Sequence, residues 1–145
     1  MANWDDAPQV PANAVEFAMK IDLKAVLETM GPETAAIFEI SLRGEVASSA
    51  ARDKANAEIS AVVETRVNTL KEKVLEELKI KPDDSPEKIV TKTSIATSFV
   101  NFLGRLCKWI IEKLRWIVSK IYEGIKWCAQ KARDFFSGLW SALTK

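Results

Sequence analysis

The sequence predicts an all-α protein, either an elongated helical hairpin or a small bundle, with two long helices and a shorter N-terminal helix. The 145 residues include only five glycines and five prolines, which favours long helices over the many turns of a β-fold. Hydrophobic residues make up 48% of the chain and charged residues 28%, a balance typical of a globular domain with its own core. Apolar residues also recur at every third or fourth position, which is the spacing of one helix face.

The first segment, residues 1–12, is predicted to be an irregular acidic arm, because it contains two prolines and no apolar periodicity. It has no basic flank or apolar run, so we do not expect a secretory signal. Asn13 is then expected to cap a short helix, with Glu16 as the acid of a capping box. Gly31 is expected to end that helix, and Pro32 to begin the next one.

The second helix is predicted to run from Pro32 to about Ile80, with Gly44 as its only weak point. The segment 13–80 therefore forms an acidic helical body. Its apolar positions step by three or four residues, as expected for one buried face. These positions are Ile59, Val63, Val67, Leu70, Val74 and Leu78.

A connector and a frayed helix start are expected over residues 81–97. Pro82 stops the second helix, Ser85 can cap the third, and Pro86 suits its first turn. The segment "IVTKTSIAT" that follows is rich in β-branched residues, which lose rotamer freedom in a helix, so we expect it to be frayed or bent. The remainder, residues 98–145, is predicted to be one basic, tryptophan-rich amphipathic helix running antiparallel to the second.

An apolar stripe follows this last helix with steps of 3, 4 and 4 residues, an 11-residue repeat that stays on one face of an α-helix. Stripes of this kind usually form core. Its members are Leu103, Leu106, Ile110, Leu114, Ile117, Ile121, Ile125, Cys128, Ala132, Phe136, Leu139 and Leu143.

A second set of aromatic residues, bordered by lysines, falls on the opposite side of the same helical wheel. We call this set the ridge and predict that it faces outward and binds a membrane or a partner protein, because tryptophan and lysine together suit both environments. Packing against another helix of the same chain is the alternative. The ridge comprises Phe102, Trp109, Lys113, Trp116, Lys120, Trp127 and Lys131.

Charge is distributed unevenly along the chain. Residues 1–97 contain 12 basic and 17 acidic residues, a balance of −5, whereas residues 98–145 contain 9 basic and 3 acidic residues, a balance of +6. We therefore expect the body and the tail to associate within the chain. Basic residues of the tail alternate with apolar ones and form no dense patch, so nucleic acid is not an expected partner. The segment 106–127 carries too many charges to span a bilayer.

The 11-residue pattern resembles that of lipid-surface proteins such as the exchangeable apolipoproteins, over about a third of the chain. Glu112, Glu123 and Asp134, which are themselves 11 residues apart, match the acids that those proteins place on the polar face. The resemblance implies a lipid surface as the partner.

Catalysis is not expected from this chain, because it has no histidine, no zinc spacing, no phosphate-binding glycine loop and no nucleophile elbow. We predict no catalytic residue, no metal site and no cofactor. Cys107 and Cys128 would lie about 31 Å apart on one continuous helix, too far for a disulfide, and are interpreted as small buried hydrophobic residues.

The main functional hypothesis is a non-enzymatic, intracellular protein that associates peripherally with a membrane through its C-terminal helix. One alternative is a structural subunit of a larger assembly, for example a membrane-bound one, with the protein as an oligomer or a complex member. Another is a membrane-lysing helical toxin that hides its tail against the acidic body until release. The sequence names neither the lipid nor the organelle.

Overall fold

The computed structural model describes residues 4–42 and 48–145, and these residues are helical throughout apart from the arm, the turns and the chain end. The all-α prediction is therefore confirmed for this part of the chain. The α-helices are α1 (Val15–Lys20), α2 (Leu23–Ala36), α3 (Ser49–Glu77), α4 (Pro86–Ser119) and α5 (Ile125–Leu143). Single helical turns of other types are formed by Ala12–Ala14, Ile37–Ser41 and Ile121–Glu123.

Helix α3 runs antiparallel to both α2 and α4. Between α2 and α3, Arg66 Nη2 lies 2.7 Å from Glu33 Oε1, and Lys73 Nζ donates to the Ile21 carbonyl at 3.4 Å. A later residue of α3 thus meets an earlier residue of the α2 region. Helices α3 and α4 are joined by the short connector 78–85, and Lys92 Nζ donates back to the Lys79 carbonyl at 2.9 Å. The two helices pack along their lengths as a hairpin.

Helix α5 returns between α4 and α2 and is antiparallel to both. The ring of Trp109 pairs with that of Phe135, and the ring of Trp116 pairs with that of Trp127. Later residues of α4 therefore meet earlier residues of α5, which is the antiparallel arrangement. On the other side, the Arg133 guanidinium lies 2.8 Å from Glu39, just beyond α2. The helices α2 to α5 thus form an up-down-up-down four-helix bundle, in which each contacts its neighbours in the chain and α5 closes on α2.

The apolar stripe of the tail lies in the core of this bundle. All of its residues are buried except Ile125, which is partly buried. Burying one such side chain stabilises a fold by about 1.5–3 kcal/mol. The acidic body supplies the opposite wall, with Leu27 and Met30 on α2 and Ile59 and Val63 on α3. The body and the tail are therefore in direct contact, chiefly through apolar side chains.

Gly31 and Pro32 do not separate two helices, contrary to the sequence prediction, because both lie inside α2. Gly31 is there for close packing. A Cβ atom at Gly31 would lie 3.5 Å from the Cβ atom of Phe136 and 3.6 Å from the Cα atom of Arg133, so α2 and α5 approach closely at this point. The break occurs earlier, at Asp22, whose backbone is left-handed at φ 57° and whose carboxylate accepts from the Ala25 amide.

The predicted helix over residues 32–80 is also wrong as a single element, since α2 and the turn after it end before α3 begins at Ser49. The predicted weak point, Gly44, lies outside the described residues. Asn13 does not cap α1 either. Its side chain bridges to α4 instead, donating to Ser94 Oγ at 3.2 Å and accepting from Ser98 Oγ at 3.0 Å. A tertiary contact has taken the side chain that a local cap would have used.

The segment expected to be frayed, residues 89–97, is regular helix within α4. The predicted cap explains this in part, because Ser85 Oγ accepts from the Lys88 amide at 3.1 Å and Pro86 occupies the first turn. Hydrogen bonds from Lys92 and to Asn13 then hold the segment to neighbouring elements. These contacts outweigh the weak intrinsic preference of the β-branched residues.

The tail is not one helix, as the sequence predicted, but two. Helix α4 ends at Ser119, a short turn follows, and Gly124 adopts φ 113° and ψ 152° before α5 begins. Few residues other than glycine adopt this conformation. The break turns the apolar stripe back on itself, so that α4 and α5 bury it against each other and against the body.

Alanine at Gly124 is expected to destabilise the protein by about 1–3 kcal/mol, because a Cβ atom strains a positive φ even where space is open. Gly104→Ala is the matched control. Gly104 is an exposed helical position with no atom within 4 Å of an added Cβ, so that change should stabilise by about 0.5–1 kcal/mol. Urea unfolding of both variants measures the difference, and equal effects would contradict the turn at Gly124.

Asp84 organises the connector between α3 and α4. The Asp84 side chain is only 1% exposed. Its carboxylate accepts a hydrogen bond from the Lys81 amide at 2.9 Å and lies 2.7 Å from Lys92 Nζ. These interactions, the backbone hydrogen bond first, lower the pKa of Asp84 from 3.8 to about 2.

A carboxyl group with a lowered pKa stabilises the fold above its unfolded pKa, and this contribution is lost as the pH falls from about 4 to about 2. We therefore expect Asp84→Asn to be less stable than the unmodified protein at pH 7, with the difference shrinking over that acid range. Urea midpoints measured at several pH values test this. An equal difference at pH 7 and pH 2 would show that the charge is not responsible.

Candidate functional site

The ridge is divided by the fold, and only part of it faces outward. Phe102 is fully buried, with its ring stacked 5.6 Å from that of Phe99 in the core. Trp109 is 6% exposed. The expectation that these two rings face solvent is wrong, because α1 covers the side of α4 near Phe102 and the N-terminal arm covers Trp109.

The outer part of the ridge gathers at the turn between α4 and α5. Together with Tyr122 in that turn, it forms a surface that we call the tip. Helices α4 and α5 form a second hairpin, the α4–α5 hairpin. Across it the rings of Trp116 and Trp127 lie 6.3 Å apart, and Trp116 is 37% exposed. Tyr122, in the turn itself, is 68% exposed. The tip comprises Trp116, Lys120, Tyr122, Trp127 and Lys131.

The lysines of the tip lie over its rings. Lys120 Nζ is 5.8 Å from the ring centroids of both Trp116 and Tyr122, and Lys131 Nζ is 5.4 Å from that of Trp127. Lys120 Nζ also lies 3.3 Å from the Tyr122 hydroxyl, to which it donates. Cation–π contacts of this kind hold an ammonium group beside an aromatic surface without neutralising its charge.

The tip is electropositive. Residues 113–131 contain five basic residues and one acidic residue, a balance of +4. Within the described part of the chain, no carboxylate forms an ion pair with Lys120, Lys126 or Lys131. These ammonium groups therefore remain available to an external anion.

The described part of the arm, residues 4–11, lies across the α4–α5 hairpin, further from its turn than the tip. The Trp4 ring stacks on Phe135 at 5.1 Å and is 5.9 Å from Trp109. Asp6 accepts a hydrogen bond from Trp109 Nε1 at 3.2 Å and lies 3.1 Å from Lys113 Nζ. The hydrogen bonds from Trp109 and then Lys113 lower the pKa of Asp6.

The second half of the arm is tied to the end of α5. The Val10 amide donates to the Leu143 carbonyl at 2.9 Å, and Gln9 Nε2 donates to the Ala142 carbonyl at 2.8 Å. The Lys145 amide donates to Gln9 Oε1 at 3.1 Å. The arm thus satisfies carbonyl groups that have no partner within the last turn of a helix. Residues 4–11, which belong to the segment predicted to be an irregular arm, contain no helix or strand and are docked along the bundle, whereas residues 1–3 lie outside the described residues.

Aromatic and lysine side chains form layers along the α4–α5 hairpin. Trp116 and Trp127 make the outermost layer, Lys113 and Lys131 sit one turn further in, and Trp109 and Phe135 follow. Each lysine contacts one tryptophan, Lys113 at 5.5 Å from the Trp109 centroid. Trp116, Trp127 and Lys131 are at least partly exposed, while the arm packs on Trp109 and Phe135 and pairs with Lys113.

The cysteines are free and are not set up for nucleophilic chemistry. Burial raises the pKa of the Cys128 thiol to about 11 and also raises that of Cys107. Both thiols are therefore protonated at neutral pH. The sequence-based separation of the two cysteines assumed one continuous helix, and the break at Gly124 removes that assumption. The described residues include no group of three or more metal-ligating side chains.

Sequence reasoning missed four residues of this surface. Tyr122 lies outside the spacing that defines the ridge, and Phe135 follows no pattern that separates it from the core. Trp4 and Asp6 lie in a segment that was expected to be an irregular acidic arm. The available signal was a tryptophan next to two acids, which suits an aromatic and basic docking site.

None of the helices in the described residues has the length and apolarity that a membrane span requires. No protein-family model, curated protein or solved structure matches the chain.

Proposed function

We propose that the protein is a non-enzymatic, intracellular protein that associates peripherally with a membrane, and that its basic C-terminal segment makes the contact through the tip. The observation that carries this proposal is the partly open pair Trp116 and Trp127, flanked by Lys120 and Lys131 and by the exposed Tyr122. Amphipathic rings and snorkelling ammonium groups suit the headgroup layer of a bilayer.

This mode of contact differs from that of an amphipathic helix lying flat on a surface. The apolar stripe that a flat helix would insert is buried in the bundle, so the contact residues that the folded tail presents are those of the tip. In this proposal the hairpin of the two long helices, α3 and α4, is the scaffold that holds the tip at one end. The charge balance of +4 over residues 113–131 favours an anionic surface.

Flotation of the purified protein with vesicles tests this proposal. We expect binding to phosphatidylcholine vesicles that contain phosphatidylserine, weaker binding to pure phosphatidylcholine, and loss of binding at high salt. Encapsulated dye should be retained. Leakage of dye would favour the membrane-lysing alternative. Absence of binding to either vesicle, both by the unmodified protein and by Trp4→Ala, in which the arm no longer covers the inner aromatic layer, would reject membrane association.

A structural subunit of a larger assembly is the second candidate, and a separate observation favours it. An open groove of about 650 Å³ lies along the first turns of α4. Val90, beside it, is 68% exposed, and Leu75 and Ile80 near the same end of the α3–α4 hairpin are 55% and 50% exposed. Exposed apolar groups of this kind suit a partner chain or oligomer contact. Chemical cross-linking and sedimentation of the protein without lipid test this candidate.

A further inference from the structure

We propose that the arm is a latch: it covers the inner part of the lipid-contact surface and keeps the affinity for membranes low until it is released. This inference deepens the proposed function and rests on it. It concerns the regulation of the same surface, and its basis is the position of Trp4 and Asp6 on the hairpin that carries the tip.

The arm hides side chains of the same chemistry as the tip. Trp4 packs on the inner aromatic layer, and Trp109 and Phe135 are 6% and 2% exposed in its presence. Asp6 forms an ion pair with Lys113, which lies at the same height on α4 as Lys131 does on α5. Trp4 and Asp6 therefore supply in cis an apolar ring and an anion, which take the place of the apolar and anionic groups that a phospholipid surface would supply.

The covered and open parts form one continuous surface. One helical turn separates Trp116 from Lys113, and another separates Lys113 from Trp109, while α5 supplies Trp127, Lys131 and then Phe135 at matching heights. Removal of the arm would extend the aromatic and lysine surface of the tip by Lys113 and by the layer of Trp109 and Phe135. A larger amphipathic surface binds a bilayer more tightly.

The arm is attached in a way that permits release without unfolding the bundle. Its polar anchors include the side chains of Asp6 and Gln9 and the amide of Val10, and the Asp6 side chain is 61% exposed. Ala7 and Val10 of the arm are buried in the hydrophobic core, but helices α2 to α5 also pack on one another through other residues. The arm can therefore detach at the cost of its own contacts alone.

Vesicle flotation of full-length Trp4→Ala tests the latch. Alanine removes the ring that covers the hairpin and adds no lipid-binding group of its own. We expect binding to phosphatidylserine-containing vesicles at least about tenfold tighter than that of the unmodified protein, with helical content retained in circular dichroism. Hydrogen exchange at the Val10 amide should become faster, because its bond to the Leu143 carbonyl opens with the arm.

Asp6→Asn is the second, milder variant, which keeps Trp4 and weakens only the contact with Lys113. Asp83→Asn is its matched control, since it makes the same change of charge at an exposed position in the connector 78–85, at the end of α4 opposite to the tip. We expect Asp6→Asn to bind more tightly than Asp83→Asn. If Trp4→Ala does not fold, the comparison of Asp6→Asn with its control variant tests the latch instead.

The outcomes separate the latch from the proposed function. Tighter binding of the arm variants supports the latch, also when the unmodified protein does not bind. If the unmodified protein binds and the arm variants bind equally or less well, the latch is wrong and the proposed function stands. If no variant binds, the proposed membrane association is wrong and the latch falls with it.

Discussion

Phe102→Ala is expected to lower the free energy of unfolding by about 3–5 kcal/mol, a large part of the about 5–15 kcal/mol of a typical domain. Phe102 has no exposed surface, and its ring stacks on Phe99, which in turn meets Phe17 of α1 edge-on at 5.6 Å. Truncation leaves a cavity where α4 meets the N-terminal helix. Thermal unfolding should show a fall in Tm on the order of 10 °C.

Tyr122→Ala is the control for this change, because it also removes an aromatic ring but from a side chain that is 68% exposed. We expect its effect on unfolding to stay within about 0.5 kcal/mol. If Phe102→Ala were as mild as Tyr122→Ala, Phe102 would face outward, as the periodicity alone predicted.

Replacing Trp116 and Trp127 together with alanine is expected to weaken binding to anionic vesicles by at least about tenfold, while the bundle stays folded. The two rings form the outermost aromatic layer, and each holds one lysine over its face. Their loss removes the amphipathic rings of the tip. It also removes the cation–π contacts of Lys120 and Lys131 with those rings. Flotation measures the binding, and circular dichroism measures the fold.

The matched control removes two apolar side chains at the other end of the α3–α4 hairpin. Leu75 and Val90 are 55% and 68% exposed, so the double alanine variant removes comparable surface without touching the tip. Its vesicle binding should be unchanged. Equal loss of binding in both variants would mean that the protein contacts membranes without using the tip, and unfolding of the tryptophan variant would assign that pair to the core.

Periodicity and capping residues predicted a good part of the fold. The stripe of apolar residues was assigned to the core from spacing alone, and it lies there because burial of a helix face depends on residue type and angular position. Ser85 and Pro86 mark the start of α4 as predicted, because a cap is a local interaction between residues three positions apart. The absence of strands in the described residues follows from the same local preferences.

The division of the ridge could not be predicted in the same way. On a helical wheel Phe102, Trp109, Trp116 and Trp127 share one side, yet the first two are buried and the last two are partly open. Their difference depends on what covers each position of α4, which is α1 at one point and the arm at another. Such neighbours come from more than 80 residues away in the chain, beyond the reach of a local pattern.

The sequence by itself determined the helical class, the buried stripe and the charge contrast between body and tail, because these depend on residue type and short-range spacing. Only the tertiary structure decided where the tail turns and what remains open. The 3, 4, 4 repeat continues through Gly124 without interruption, since a stripe that folds back on itself needs the same apolar spacing as a straight one. The positive φ at Gly124 converts one long helix into a hairpin, places Trp116 beside Trp127, and brings Trp4 onto the layer below them.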